Sequence, residues 1–368
     1  MTAAPAGLYV HVPFCLTRCG YCDFNTYEGL SHLADPFVEA LLREADLVSP
    51  SWADVPFVSV FIGGGTPTTL PSAVLGHVLA RLRARFDLAD HAEVTCEANP
   101  DTVDEASLAA LREAGVTRLS LGVQSFDPAV LRALERIHPA ESARRAVAEA
   151  RAAGFDDLNL DLIYGAHGES PASWRRTLDE AVALRPEHLS CYALTVEQGT
   201  PLGRSVALGA VPAPDPDVQA GMFDVACEIL AAAGYLHYEV SNWARPGREC
   251  RHNLGYWQGR PYLGLGPGAH SHRGRDRWWN VRPPQRYIGA VAGGELPVGG
   301  RERLDEGELR LERLMLGLRL PAGVPATWVP DAVSATFAER GLGVVENGRF
   351  ALTEAGMLLA NEVAATAP

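Results

Sequence analysis

Residues 7–22 read GLYVHVPFCLTRCGYC, a short strand-like run that breaks off into three closely spaced cysteines. Leu8 to Val12 has the apolar, alternating character of a strand. Behind it come Cys15, Cys19 and Cys22, while the remaining cysteines, Cys96, Cys191, Cys227 and Cys250, are scattered and bring the total to an odd seven. Such crowding suits a metal better than a disulfide framework. Three thiolates at CX3CX2C spacing can hold three irons of a [4Fe-4S] cluster and leave the fourth open to an exchangeable small molecule. The competing readings are a zinc site completed by His11 or His32, or three free thiols. Zinc sites usually take four ligands in paired spacings. Cys96 and Cys191 lie in strand-like runs and read as small buried hydrophobes.

Outward from this stretch one unit repeats. Strand candidates at Phe57–Ile62, Glu93–Glu97, Arg118–Val123, Asp157–Ile163 and His188–Leu194 alternate with Ala/Leu/Arg/Glu segments of helical period, and Leu236–Val240 offers a possible seventh strand. Helix starts are marked by Asp127-Pro128, Ser170-Pro171 and Asp215-Pro216, and by Thr102 with Glu105 at capping-box spacing. Gly115, Gly154 and Gly234 each end a helical run ahead of a strand. Repeated βα units predict an α/β fold with a parallel sheet, either doubly wound or curled into a full or partial (β/α) barrel. The positions of unusual residues favour the barrel. The cysteines follow strand one, Gly63-Gly64-Gly65-Thr66-Pro67 follows strand two, Glu97 ends strand three, Gln124 follows strand four, and Asp161 lies near the end of strand five. Barrels of this kind build their sites at those strand ends.

Composition bounds the rest. The chain has 368 residues, 47% hydrophobic and 21% charged, with a formal net charge of -13. That is globular composition, and the charge makes nucleic acid an unfavourable partner. The longest uncharged stretch, Val55–Ala80, is broken by the glycine run and Pro71, so no spanning helix is expected and an integral membrane protein is excluded. The start lacks the basic and long apolar regions of a signal peptide, which points to the cytoplasm. The composition divides the chain into a barrel (1–245), a Gly/aromatic-rich connecting segment (246–300) and a C-terminal domain (301–368). In the last, two short strands around Asn347-Gly348 followed by a helix suit a small winged-helix-like α+β module. Its seven Arg against ten acidic residues argue for a structural or docking role over DNA readout.

YVHVPFCLTRCGYCDF (9–24), FIGGGTPT, EANP, GVQSF, NLDLIYG and HNLGYW (252–257) together resemble the radical S-adenosylmethionine (SAM) superfamily, in its coproporphyrinogen-oxidase-like branch and nearest to the haem chaperones there. The resemblance implies a partial barrel of the radical SAM type in which a reduced cluster, served by an electron donor, cleaves SAM to methionine and a 5′-deoxyadenosyl radical. By that resemblance Cys15, Cys19 and Cys22 ligate the cluster, and Tyr9 and Tyr21 pack beside it and SAM. Gly64, Gly65 and Thr66 bring backbone to the methionyl end, and Glu97, Gln124, Arg136 and Asp161 contact SAM groups. His252 of the HNxxYW element is the implied axial ligand of haem, which passes to haem-accepting proteins. Cys250 is a second iron contact or a free thiol.

The alternative is an oxygen-independent coproporphyrinogen III oxidase of porphyrin biosynthesis. Against it stand two departures. Those oxidases carry a further cysteine where this chain has Phe24, and a long segment before the motif, whose first cysteine is residue 15 here.

Overall fold

The computed structural model describes residues 4–366. Its main sheet has 12 strands. In chain order they are β1 Ala6–Val12, β2 Phe57–Gly64, β3 Leu88–Ala98, β4 Arg118–Gln124, β5 Leu158–Tyr164 and β6 His188–Ala193, then β7 Leu236–Glu239, β8 Asn242–Ala244, β9 Tyr262–Leu265, β10 His270–Arg273, β11 Asp276–Asn280 and β12 Val298–Arg303. Across the sheet the order is β12-β11-β10-β9-β1-β2-β3-β4-β5-β6-β8-β7. The strands from β9 to β6 are all parallel, and both ends turn antiparallel. Tyr9 and Phe61 from the middle of the sheet line one cavity with Tyr238 and Asn242 from its β7 end. A flat sheet cannot bring those strands together, so this one curls into an open barrel with helices outside. The fold is the α/β partial barrel expected from the sequence.

Helix boundaries follow local chemistry. Asp127, Ser170 and Asp215 accept hydrogen bonds from the first-turn amides of Ala129, Ser173 and Asp217, each with proline at the next position. The capping box expected at Thr102 and Glu105 is instead formed by Asp104 and Ser107, whose side chains exchange bonds with each other's amides. The helix begins at Glu105, two residues later than that spacing implied, and the Thr102 hydroxyl donates to the Asn99 carbonyl at 2.9 Å.

The seventh strand also differs. Leu236–Glu239 is a strand, but Val240-Ser241 turns the chain straight back into β8, and so short a link permits only antiparallel pairing. β8 thus lies between β6 and β7, and the seventh parallel strand is β9, on the other side of β1. Residues 262–303 therefore add four strands to the barrel sheet, and β12 runs across position 300.

The C-terminal residues have their own core of Leu314, Leu318, Val324, Phe337, Phe350, Leu352 and Val363. Its hairpin, Gly343–Glu346 with Arg349–Leu352, turns at Asn347 (φ 50°) and Gly348 (φ 74°), the left-handed pair a two-residue hairpin needs. No helix among the described residues is long and apolar enough to cross a membrane.

Glu44, on the first long helix (Ala34–Val48), joins that helix to the β9–β11 region. Its carboxylate accepts from Tyr287 Oη (2.6 Å), Asn280 Nδ2 (2.6 Å) and the Gly266 amide (2.9 Å). Burial outweighs these donors and pushes its pKa from 4.5 up to about 7. A carboxyl whose folded value exceeds its unfolded one contributes stability below the unfolded pKa and loses it as pH rises through the folded one. The loss between pH 4.5 and 7 is ~3 kcal/mol at about 1.4 kcal/mol per unit. Glu44→Gln is expected to flatten that part of the stability profile, measured as the difference in urea midpoint from wild type at acid and neutral pH.

Candidate functional site

The C-terminal ends of the parallel strands open into a cavity of about 480 Å³. Cys15, Cys19 and Cys22 line it from the loop that follows β1. The loop is tied off at its root, where Phe14–Cys15 pairs in parallel with Tyr27–Glu28, and is turned within itself by the Cys22 amide donating to the Cys19 carbonyl. Each sulfur has a polar neighbour. Thr66 Oγ1 donates to Cys15 Sγ (3.9 Å), Arg136 Nη1 donates to Cys19 Sγ (3.4 Å), and Thr26 Oγ1 lies 3.9 Å from Cys22 Sγ. Burial pushes the Cys15 and Cys22 thiols up, so both stay protonated until positive charge arrives to hold their thiolates. Soft donors with hydrogen bonds directed at sulfur are the chemistry of an iron–sulfur or zinc site.

The glycine run forms the adjoining wall. Gly65 donates to the Val12 carbonyl (2.8 Å) and Thr66 to the Phe14 carbonyl (2.7 Å), clamping the end of β2 onto the root of the cysteine loop. A Cβ on Gly65 would stand 2.5 Å from the Phe14 oxygen, so only glycine permits the clamp. The Gly64 amide, at φ 108°, donates to Glu97 Oε2 at 3.0 Å. Burial, with the charge of Asp161 second, pushes Glu97 up to about 8. Asp161 is likewise raised by burial, although Ser120 Oγ (2.8 Å) and Asn159 Nδ2 (2.9 Å) both donate to it. It lies mid-strand in β5, deeper than the strand-end position read from the sequence.

Gln124 closes β4 with φ 65°, a left-handed residue beside a break in register with β5. For a non-glycine residue that conformation is strained, and strain of this kind collects at functional sites. Arg136 reaches from behind to donate to the Gly122 carbonyl (3.0 Å) as well as to Cys19. Tyr21 and Thr66 complete the set, which holds every residue that the resemblance assigned to cluster, SAM or haem except two.

Those two are Tyr9 and His252. Tyr9 is mid-strand, outside the thiol-lined cavity. Its hydroxyl meets His11 Nδ1 at 2.9 Å, and its ring packs beside Phe61 and His252. His252 is only 4% exposed. Both of its ring nitrogens are engaged, Nδ1 with Ser59 Oγ and Nε2 with Tyr256 Oη, each at 2.9 Å, and burial lowers its pKa to about 3. With both nitrogens engaged it stands here as a hydrogen-bonded histidine, and iron ligation would require it to give up its bond to Ser59 or Tyr256. Nearby, the Cys250 thiol is buried and donates to Glu93 Oε1 at 3.4 Å.

The cavity also holds residues that sequence reasoning passed over. Tyr192 near the end of β6 and Asn99 just past β3 obey the same strand-end rule that found Glu97 and Gln124. Ser120 carries no such signal, because it matters only through its bond across to Asp161 on the next strand.

Residues 9–181 match the radical SAM superfamily. Over its whole length the chain is 46% identical to the haem chaperone HemW of Mycobacterium tuberculosis, covering 95% of that protein. It is 40% identical to the haem chaperone HemW of Escherichia coli, over 72% of this chain and 70% of that one. It is also similar to the solved structure of coproporphyrinogen III oxidase (HemN) from Escherichia coli, a radical SAM enzyme, at a TM-score of 0.86 and 25% identity, covering all of this chain and 90% of that one. With thiols, glycine clamp and carboxylates gathered at one barrel mouth, and likeness running end to end, the chain belongs to the HemW haem chaperone family of the radical SAM superfamily.

Proposed function

We propose that this protein is a cytoplasmic haem chaperone, which binds haem and hands it to haem-accepting proteins while carrying a [4Fe-4S] cluster and exchangeable SAM. The observation that carries this reading is the end-to-end likeness to proteins named as haem chaperones. Cys15, Cys19 and Cys22 hold the cluster, and their fit to it rests on the donors aimed at each sulfur. Bound together, cluster and SAM supply one-electron chemistry once an electron donor has reduced the iron.

The chain's own residues orient and balance charge. Gly64 and Gly65 let backbone approach the ligand, while Glu97 and Asp161 offer carboxylates to an amine or to ribose hydroxyls. Gln124 adds an amide, and the Arg136 guanidinium sets a positive charge beside the Cys19 sulfur. A cavity of about 480 Å³ is of the size that small-molecule sites take.

The likeness to HemN favours a second reading, oxygen-independent coproporphyrinogen III oxidase. Titrating hemin into anaerobically reconstituted protein and following transfer to an apo-haem protein separates the two. Stoichiometric binding with transfer is the expected result. No specific binding, with turnover of coproporphyrinogen III, would reverse the assignment.

Cys19→Ala is expected to remove the cluster yet leave the fold intact, since the side chain lies on a loop at the cavity and outside the core. Unchanged iron and sulfide after reconstitution would disprove the ligand assignment.

Glu97 makes the SAM site pH-sensitive. With a pKa of about 8 it holds its proton at pH 7, and a cationic ligand beside it favours the ionised form. SAM binding at pH 7 is therefore expected to release up to one proton, read by calorimetry in buffers of different ionisation enthalpy, and Glu97→Gln is expected to abolish that release. Equal binding heats in all buffers would refute the assignment.

A further inference from the structure

If haem is the cargo, a histidine with an unbonded ring nitrogen is a readier partner for the iron than His252, whose two nitrogens are bonded to Ser59 and Tyr256. A second cavity, of about 550 Å³, lies beside the thiol-lined one, between the cysteine loop and the antiparallel end of the sheet. Its walls are aromatic: Phe24 from the cysteine loop, Tyr256 from the HNxxYW helix (Arg251–Trp257), Tyr262 from β9 and Trp279 from β11. Tyr9, His11, Asn25 and Glu97 also line it, each holding a hydrogen bond within the protein, and two further polar groups face the same space. His270, at the start of β10, is exposed and makes no side-chain hydrogen bond among the described residues, and its ring stacks on Trp279 with centroids 5.6 Å apart and planes 25° from parallel. Arg282 follows β11 and its side chain touches Asn25 Oδ1 through Nε at 3.5 Å, and among the described residues its terminal nitrogens meet no carboxylate.

We propose that this cavity is the haem site, with a ring nitrogen of His270 as axial ligand to the iron and the Arg282 guanidinium pairing with a propionate. The proposal rests on the reading that the protein carries haem. An apolar slot with aromatic faces suits a macrocycle, imidazole is a common haem ligand, and guanidinium binds carboxylate through paired donors. His270 is below the ordinary histidine value because of desolvation, which keeps it neutral with a lone pair available near pH 7. The HNxxYW helix then serves the site through Tyr256, which forms a wall and is fixed in place by its bond to His252. Phe24, Gly64 and Glu97 line both cavities, so haem would lie against the partition that separates it from the cluster and SAM.

The test is a hemin titration of the full-length, cluster-reconstituted protein followed by absorption and resonance Raman spectroscopy. His270→Ala is expected to weaken binding about tenfold or more and to change the Soret position and iron spin state. His270→Gly with added imidazole is expected to restore the wild-type spectrum, and Arg282→Ala to weaken binding with the spectrum unchanged. Iron and sulfide content should match wild type throughout, which excludes misfolding as the cause. If wild type binds hemin specifically and His270→Ala has the same affinity and spectrum, the ligand assignment is wrong while the chaperone reading stands. If wild type itself shows no specific Soret band, the chaperone reading falls and this proposal with it.

Discussion

Strand β1 has a parallel neighbour on each side, β2 and β9, and the rest of the site depends on that pairing. In a parallel sheet every strand delivers its C-terminal end to one edge, so the chain leaving β1 must emerge in the middle of that edge. The three cysteines sit on that emerging chain. The residues around them are then set by register: Gly64 on β2 opposite Val12, Glu97 on β3, Gln124 on β4, and Asp161 on β5. The Gly65 and Thr66 bonds to the Val12 and Phe14 carbonyls continue the β1–β2 ladder past its formal end and fix where the loop begins. On the other flank β9 leads into β10 and β11, so the aromatic cavity is also built against β1 and opens beside the same loop.

Burial governs the electrostatics of the mouth. Glu97 and Asp161 lie where ionisation costs more than their hydrogen bonds return, and Asp161 raises the cost for Glu97 further. Arg118, buried beneath them, lowers both only as a lesser influence. Glu97, pushed up to about 8, therefore favours its neutral form near pH 7, and a cationic ligand beside it would favour ionisation. Cys15 and Cys22 follow the same rule, since burial keeps their thiols neutral until a metal supplies the charge. Groups that burial holds neutral, Glu97 and these two thiols, spare the fold isolated buried ions, which are among the costliest groups to fold around.

Much of this was legible in the sequence because the signals are local. Parallel strands buried on both faces are short apolar runs, proline after Asp or Ser marks helix starts, and glycine marks their ends. The cysteines, the glycine run, Glu97, Gln124 and Asp161 stood out through their places at or near strand ends, whereas Tyr21 and Arg136 were marked only by the family resemblance. The misreadings share a physical origin in tertiary pairing. Whether Leu236–Glu239 joins β6 directly depends on the tightness of the turn at 240–241, and the true parallel partner, Tyr262–Leu265, is a four-residue run inside a glycine- and aromatic-rich stretch that resembles a loop. Thr102 and Asp104 both have a capping partner three residues on, and only backbone conformation decides between them. His252 was marked by a motif, but a motif cannot report that Ser59, 193 positions away, would occupy one of its nitrogens.

The likeness to an oxidase at a TM-score of 0.86 but only 25% identity shows how one scaffold can carry two chemistries. Strand order is set by the core, which tolerates exchange among apolar side chains of similar volume, whereas the mouth is built from loops whose single positions matter. Phe24 is such a position. The residue is 63% exposed and lines both cavities, at the place where, by the resemblance, the oxidases carry a further cysteine. An exposed phenyl on a partition between two cavities buries little apolar area, so core packing does not account for it. On the proposed haem reading it offers an apolar face to a flat aromatic cargo, and the position lacks a thiol that could donate a hydrogen atom or ligate a metal. On that reading the exchange moves the mouth from reacting with a tetrapyrrole towards holding one.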